Sequence, residues 1–338
     1  AYYNLQQYAA AEKSYREVIR RFPRSSFAFD AITGVQYCLT AQGKTQEALA
    51  VIDVYIRDNP ESALGEQLSL KKGELLFSQK RFDEAAQAYR SFLNQYPQSN
   101  QRASAMYWLA KSMAESGKTL DAADAFEQAA SARNAPARIV SSSLLEAAHI
   151  FRNEKKYDRA FSVLSRAERE LAKSEFAPEV ALLKGLVFFD NGAIDEARSQ
   201  FEYVVSSYGS TVQADKARVG LVKISLQMKD YASAQSRAQA VATSRIDEVG
   251  AEAQYLSGVI YLESKEWQNA ATAFLRLRYV FPSYDPWIAR GDLGMGQAYE
   301  ELKNLPRAKE AYRSALKFES EEEVVAEASS RLRRLEGR

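Results

Sequence analysis

Residues 82–130 read FDEAAQAYRSFLNQYPQSNQRASAMYWLAKSMAESGKTLDAADAFEQAA. Phe82 is followed by Ala85 three residues on and by Tyr89 four beyond that, a spacing that puts all three on one face of a helix. Pro97 stops that helix, because proline holds the residue before it out of helical backbone. After the break Ala110 and Met113 share a second helical face, and the triplet Gly117-Lys118-Thr119 turns the chain. Ala122 and Phe126 then repeat the positions of Ala85 and Tyr89. The spacing predicts a pair of antiparallel helices, A before the turn and B after it, that recurs.

Working outward, the same register anchors at Tyr8, Thr45, Phe82, Thr119, Tyr157, Ile194, Tyr231, Trp267 and Leu305, with spacings of 36 to 38 residues. Three residues after each anchor stands Ala11, Ala48, Ala85, Ala122, Ala160, Ala197, Ala234, Ala270 and Ala308, a side chain small enough for helices to approach closely. Seven after it stand Tyr15, Ile52, Tyr89, Phe126, Leu164, Phe201, Ala238, Phe274 and Tyr312, which are expected to fill the core between helices. Nine before it recur Gly73, Ala110, Ala148, Gly185, Gly258 and Gly296. A mid-helix glycine costs about 1 kcal/mol, so its recurrence predicts a neighbouring helix crossing there. Pro23, Pro60, Pro97 and Pro282 are expected to end B helices.

The two ends depart from the register. Only Tyr2–Leu5 stands where the first A helix belongs, so residues 1–27 form a partial repeat and the chain is expected to be cut from a longer one. Ser320 with Glu323 makes an S-x-x-E capping box for a C-terminal capping helix over 320–336, with Val324, Val325, Ala328, Leu332 and Leu335 as its apolar stripe.

Small, aromatic, alanine, aromatic and proline in this order and spacing resemble the tetratricopeptide repeat (TPR), whose usual period is 34 residues. The resemblance covers the whole chain and implies an all-α fold, a right-handed α-solenoid of about eight complete helix pairs forming one array over residues 1–338. The [FYN]-P-x-S starts of FPRSSFAFDAITG, YPQSNQRASAMYWLAK and NPESALGEQLSLKKG are similar to repeats of bacterial cell-envelope proteins, namely the Tol-Pal coordinator and the barrel-assembly lipoprotein. That similarity implies a periplasmic or envelope location, with the cytoplasm as the alternative. Neither a lipidation cysteine nor a coiled coil is visible, so the roles of those proteins do not carry over.

Composition narrows function. Lys and Arg number 45 against 44 Asp and Glu, a balance that provides no basic field for a polyanion, so nucleic acid is not an expected partner. The longest apolar stretch, Ala181–Phe189, contains Lys184 and falls short of the ~20 residues of a membrane span. A single cysteine, Cys38, and a single histidine, His149, exclude a disulfide framework and a cysteine-rich zinc site, and no cofactor is expected. The GKT triplets at 43–45 and 117–119 lack the first glycine of a phosphate loop, which would fall at Cys38 and Ser112, and sit on predicted A–B turns. With no convergent acid, base and nucleophile, an enzyme is the least expected class.

The A-helix face that lines the concave side in the resembled family carries Tyr37, Glu74, Tyr107, Lys111, His149, Arg152, Lys223 and Tyr255. These are the candidate partner-binding residues of a non-enzymatic scaffold for a protein or peptide segment. The family's carboxylate clamp needs Asn one turn after Lys, whereas here Tyr107 precedes Lys111, Leu145 precedes His149 and Val219 precedes Lys223, so a peptide C-terminus is disfavoured as the ligand. The alternative is a structural segment of a larger envelope protein that self-associates through the solenoid ends.

Overall fold

A computed structural model describes residues 1–59, 62 and 64–337, so Pro60 lies outside the described residues. Among them every regular element is a helix. The chain clusters into two compact units, Ala1–Ala167 and Glu168–Arg338. The first contains a short 3-10 turn (Tyr3–Leu5), then α1 (Tyr8–Arg21), α2 (Ala28–Ala41), α3 (Thr45–Asp58), α4 (Gly65–Ser78), α5 (Phe82–Gln95), α6 (Arg102–Glu115), α7 (Thr119–Ala130) and α8 (Ala137–Asn153). The division falls inside α9 (Tyr157–Leu171). The second unit continues with α10 (Ala177–Asp190), α11 (Ile194–Ser207), α12 (Val212–Gln227), α13 (Tyr231–Ser244), α14 (Glu248–Glu263), α15 (Trp267–Val280), α16 (Asp285–Glu301), α17 (Leu305–Ala315) and α18 (Glu322–Glu336).

Each of the nine anchors is the first residue of a B helix. The residue two positions before it is left-handed every time: Gln6, Gly43, Lys80, Gly117, Lys155, Gly192, Lys229, Lys265 and Lys303. Glycine adopts this backbone without steric cost, yet five repeats place lysine there, so the short A–B connection itself demands the conformation. At the other end of the B helices, Phe22, Tyr96 and Phe281 precede prolines with φ between −133° and −123° and ψ between 50° and 63°. Helices α1, α5 and α15 stop there, as proline sterics require.

The core is built on the alanine and aromatic positions. All nine alanines three residues after the anchors are buried, as are Tyr89, Phe126, Phe201, Phe274 and Tyr312. Phe201 of α11 shows the logic: it lies between Gly185 on α10 and Gly220 on α12, where an added Cβ would come within 2.7 and 2.6 Å of its ring. The helix-weakening glycines thus admit an aromatic ring between two A helices. The predicted crossing is present, and the ring of a B helix does the filling.

The C-terminal helix begins at Glu322, with Glu321 at its N-cap and no side-chain cap, so the Ser320–Glu323 capping box does not form. The Glu321 amide donates instead to the Phe318 carbonyl (2.9 Å). Phe318 packs against the core, and its burial places the turn ahead of the helix. Of the predicted stripe, Val324, Ala328, Leu332 and Leu335 are buried and Val325 is half-buried.

Candidate functional site

The candidate residues lie 12, 8 or 5 positions before their anchors, successive turns of one A-helix face. In the first unit α2 carries Tyr37, α4 Glu74, α6 Tyr107 and Lys111, and α8 His149 and Arg152; in the second, α12 carries Lys223 and α14 Tyr255.

Tyr37 is half exposed, with its ring centroid 6.5 Å from that of Tyr3. Glu74 is exposed and pairs with Lys71 one turn earlier (3.0 Å). Tyr107 is half-buried, with its ring 5.6 Å from Trp108 and 5.4 Å from Phe126. Burial, with the Glu146 carboxylate beside it, raises its phenol pKa above the ordinary value. Lys111 Nζ donates to Glu146 Oε1 across to α8 (2.8 Å). Burial pulls the Lys111 ammonium down, but the bond to Glu146 and its charge win and the net shift is upward. His149 and Arg152 are half-buried on α8, about one and two turns beyond Glu146.

The second unit repeats the device. Lys223 Nζ of α12 lies 2.6 Å from Glu252 Oε1 of α14. Tyr255 packs on Phe274 (5.8 Å) and Trp287 (5.5 Å), and burial raises its phenol pKa. Arg290 lies 4.8 Å over the Trp287 ring and 3.5 Å from Glu321. Two pairs of neighbouring A helices, α6 with α8 and α12 with α14, are therefore tied by a lysine–glutamate pair. Such partly exposed pairs contribute about 0–1 kcal/mol each, so they can exchange partners with a bound chain at little cost in fold stability.

Sequence reasoning missed Trp108, Glu146, Glu252, Trp287 and Arg290. A pairing such as Lys111 with Glu146 spans 35 residues; the repeat period was the only signal for it, since residues about one period apart lie on adjacent A helices.

Gly43 and Gly117 are left-handed at A–B turns, with φ of 76° and 85°, which accounts for both GKT triplets as turn elements. Cys38 is buried on α2, and burial raises its thiol pKa. Among the described residues no group of His, Cys, Asp and Glu is arranged to hold a metal, and no helix is long and apolar enough to cross a membrane.

Family models match nearly the whole chain. A tetratricopeptide repeat-like domain matches residues 90–211, and a tetratricopeptide repeat matches 1–63, 39–100 and 220–286. A further tetratricopeptide repeat model matches 293–322. No curated protein sequence matches the chain. Among solved structures, a tetratricopeptide repeat protein from Parabacteroides merdae is similar at 18% identity and a TM-score of 0.51, over 85% of this chain and 99% of that one. The apo form of RapI is similar at 14% identity and a TM-score of 0.60, over 94% of this chain and 97% of its own. At these identities the likeness is one of fold, and it agrees with the helix pairs and their register: the chain is an α-solenoid that belongs to the tetratricopeptide repeat family.

Proposed function

We propose that this protein is a non-enzymatic scaffold that holds an extended segment or helix of a partner protein along the A-helix face. The observation that carries this reading is the ladder of partly exposed aromatics and lysine–glutamate pairs, Tyr107 with Lys111–Glu146 and Tyr255 with Lys223–Glu252. It is preorganised by bonds between neighbouring A helices, which lowers the ordering cost of binding. The unbroken register supports treating residues 1–338 as one array, and the [FYN]-P-x-S starts support a bacterial envelope location.

Replacing Tyr107 and Lys111 together with Ala is expected to abolish capture of the partner in a pull-down from the native source while leaving the helical circular dichroism unchanged. Undiminished capture would overturn the reading. A second reading, self-association through an end of the array, is supported by the exposed Leu5, Phe22 and Phe27 of the first unit. Under it the same double substitution leaves capture intact, and the purified chain sediments above its monomer mass.

A further inference from the structure

The repeat builds a second kind of site, on the opposite side of the A helices. Three clefts occur at equivalent registers, each walled by two consecutive B helices and floored by the A helix between them. The register is constant but the chemistry is not. Between α1 and α3 the cleft has an apolar floor of Ile19, Ile32 and Val51 beside charged residues such as Arg16 and Glu47. Between α3 and α5 an ion pair crosses it, Lys72 Nζ to Asp53 Oδ1 at 2.7 Å. Lys184, ten residues before its anchor like Lys72, makes the same kind of pair with Glu168 (2.7 Å).

The cleft of about 180 Å³ between α13 and α15 differs from both. Ser257 takes the register of Lys72, and Gln239 that of Asp53, so no ion pair closes it. Its polar lining combines four carboxamides, Gln235 and Gln239 on α13, Gln254 on α14 and Asn269 on α15, with the hydroxyls of Thr243, Ser257, Tyr261 and Thr272. Gln254, 3% exposed, donates through Nε2 to the Ala273 carbonyl (2.9 Å). Gln235 donates to Ser257 Oγ (2.7 Å), but its Oε1 is buried without a partner. Buried polar atoms are ordinarily bonded, and one that is not calls for an explanation. Arg276 of α15, exposed on the rim, is the cleft's one cation, and no carboxylate lines it.

We propose that this cleft binds an extended peptide segment through its main-chain amides, with an acidic side chain of that segment on Arg276. A carboxamide donates and accepts at once, as a peptide group does. Gln235 and Gln239 are four residues apart, about 6 Å along α13, close to the ~6.6 Å that two residues of extended chain span. Asn269 and Arg276 are seven residues apart, about 10.5 Å along α15, the length of three extended residues. A saccharide is less well matched, because the cleft has no carboxylate to accept from its hydroxyls. Ser257 and Tyr255 differ by two positions and so point to opposite faces of α14, which makes this site independent of the A-helix face proposed above.

The probe is a fluorescent hexapeptide, Thr-Ala-Asp-Ala-Thr-Ala with blocked ends, titrated against the full chain by anisotropy. Binding is expected below about 1 mM, the weak end of measurable affinities. Gln235→Leu with Gln239→Leu is expected to weaken it by about tenfold or more, the loss of one or two hydrogen bonds, with the circular dichroism and melting temperature retained. Arg276→Gln, at an exposed position that leaves the fold intact, is expected to weaken the Asp peptide but not its Asn counterpart, and N-methylation of the two central amides to weaken both. Tyr107→Ala with Lys111→Ala should leave probe binding unchanged, which separates this site from the A-helix face. No binding at 1 mM, equal binding by the Gln variants or the N-methylated peptide, or displacement of the probe by maltohexaose would overturn the proposal.

Discussion

Replacing Phe201 with Ala is expected to destabilise the second unit by about 3–5 kcal/mol, the range for deleting a fully buried aromatic ring. Phe201 is 0% exposed and fills the space that Gly185 and Gly220 leave on the two A helices beside it. Glycine has no side chain to move into the space, so at Gly185 and Gly220 the cavity cannot be filled by a side-chain shift. Urea denaturation should show the loss as a lower midpoint. Gly185→Ala alone is expected to cost about 1–3 kcal/mol by overpacking against the same ring. In a double-mutant cycle Gly185→Ala should be less harmful in the Phe201→Ala background, since the added methyl then enters the cavity. Additive losses would mean that ring and glycine do not meet as described.

The second large effect concerns a charge. Asp292 of α16 is 3% exposed, and Arg278 of α15 donates to it through Nε (3.1 Å) and also bonds it through Nη2, which in addition donates to Ser314. Burial raises the Asp292 pKa above the usual carboxylate range, although the Arg278 bond opposes it. Arg278→Met removes that opposition and leaves a buried, unpaired carboxylate, for which a loss of about 3–5 kcal/mol at neutral pH is expected. A carboxyl whose folded pKa is raised favours the fold when protonated, and that contribution is lost as pH rises through the folded pKa. The deficit of Arg278→Met should therefore shrink as pH is lowered through the raised pKa of Asp292. Asp292→Asn in the same background should recover much of the loss at pH 7. Asp247 has the opposite sign: its bond to Arg245 holds it at about 2, so its contribution is present above the unfolded carboxylate pKa and disappears as pH falls toward 2. A deficit independent of pH would show that Asp292 is not the group left unpaired.

The fold was legible because its signals are local and repeated. Alanine three residues after each anchor, and proline fifteen after four of them, constrain backbone and packing within one helix, and nine copies average out exceptions such as Ala238 in an aromatic position. The capping box at Ser320 was misread because a local motif competes with tertiary packing, and the half-buried Phe318 against the core outweighs one side-chain cap. Half of the candidate face was legible: periodicity gives which residues share a face, so Tyr107 and Lys111 could be named. It does not give which residue on the next helix comes within bonding distance, so Glu146, Glu252 and Trp287 were not. Least visible was the cleft between α13 and α15, because Gln235, Ser257 and Asn269 stand on three different helices and only packing brings them together.

The central claim is that a partner segment lies along the A-helix face. It is tested most directly by placing the photoreactive residue benzoylphenylalanine at Tyr107 of α6 or, as a control, at the exposed Arg90 of the B helix α5, and irradiating the full chain in extract of its native source. Cross-links to a partner protein from position 107, suppressed by excess unmodified chain and absent from position 90, are the predicted result. The same partner captured from position 90 and not from 107 would contradict it.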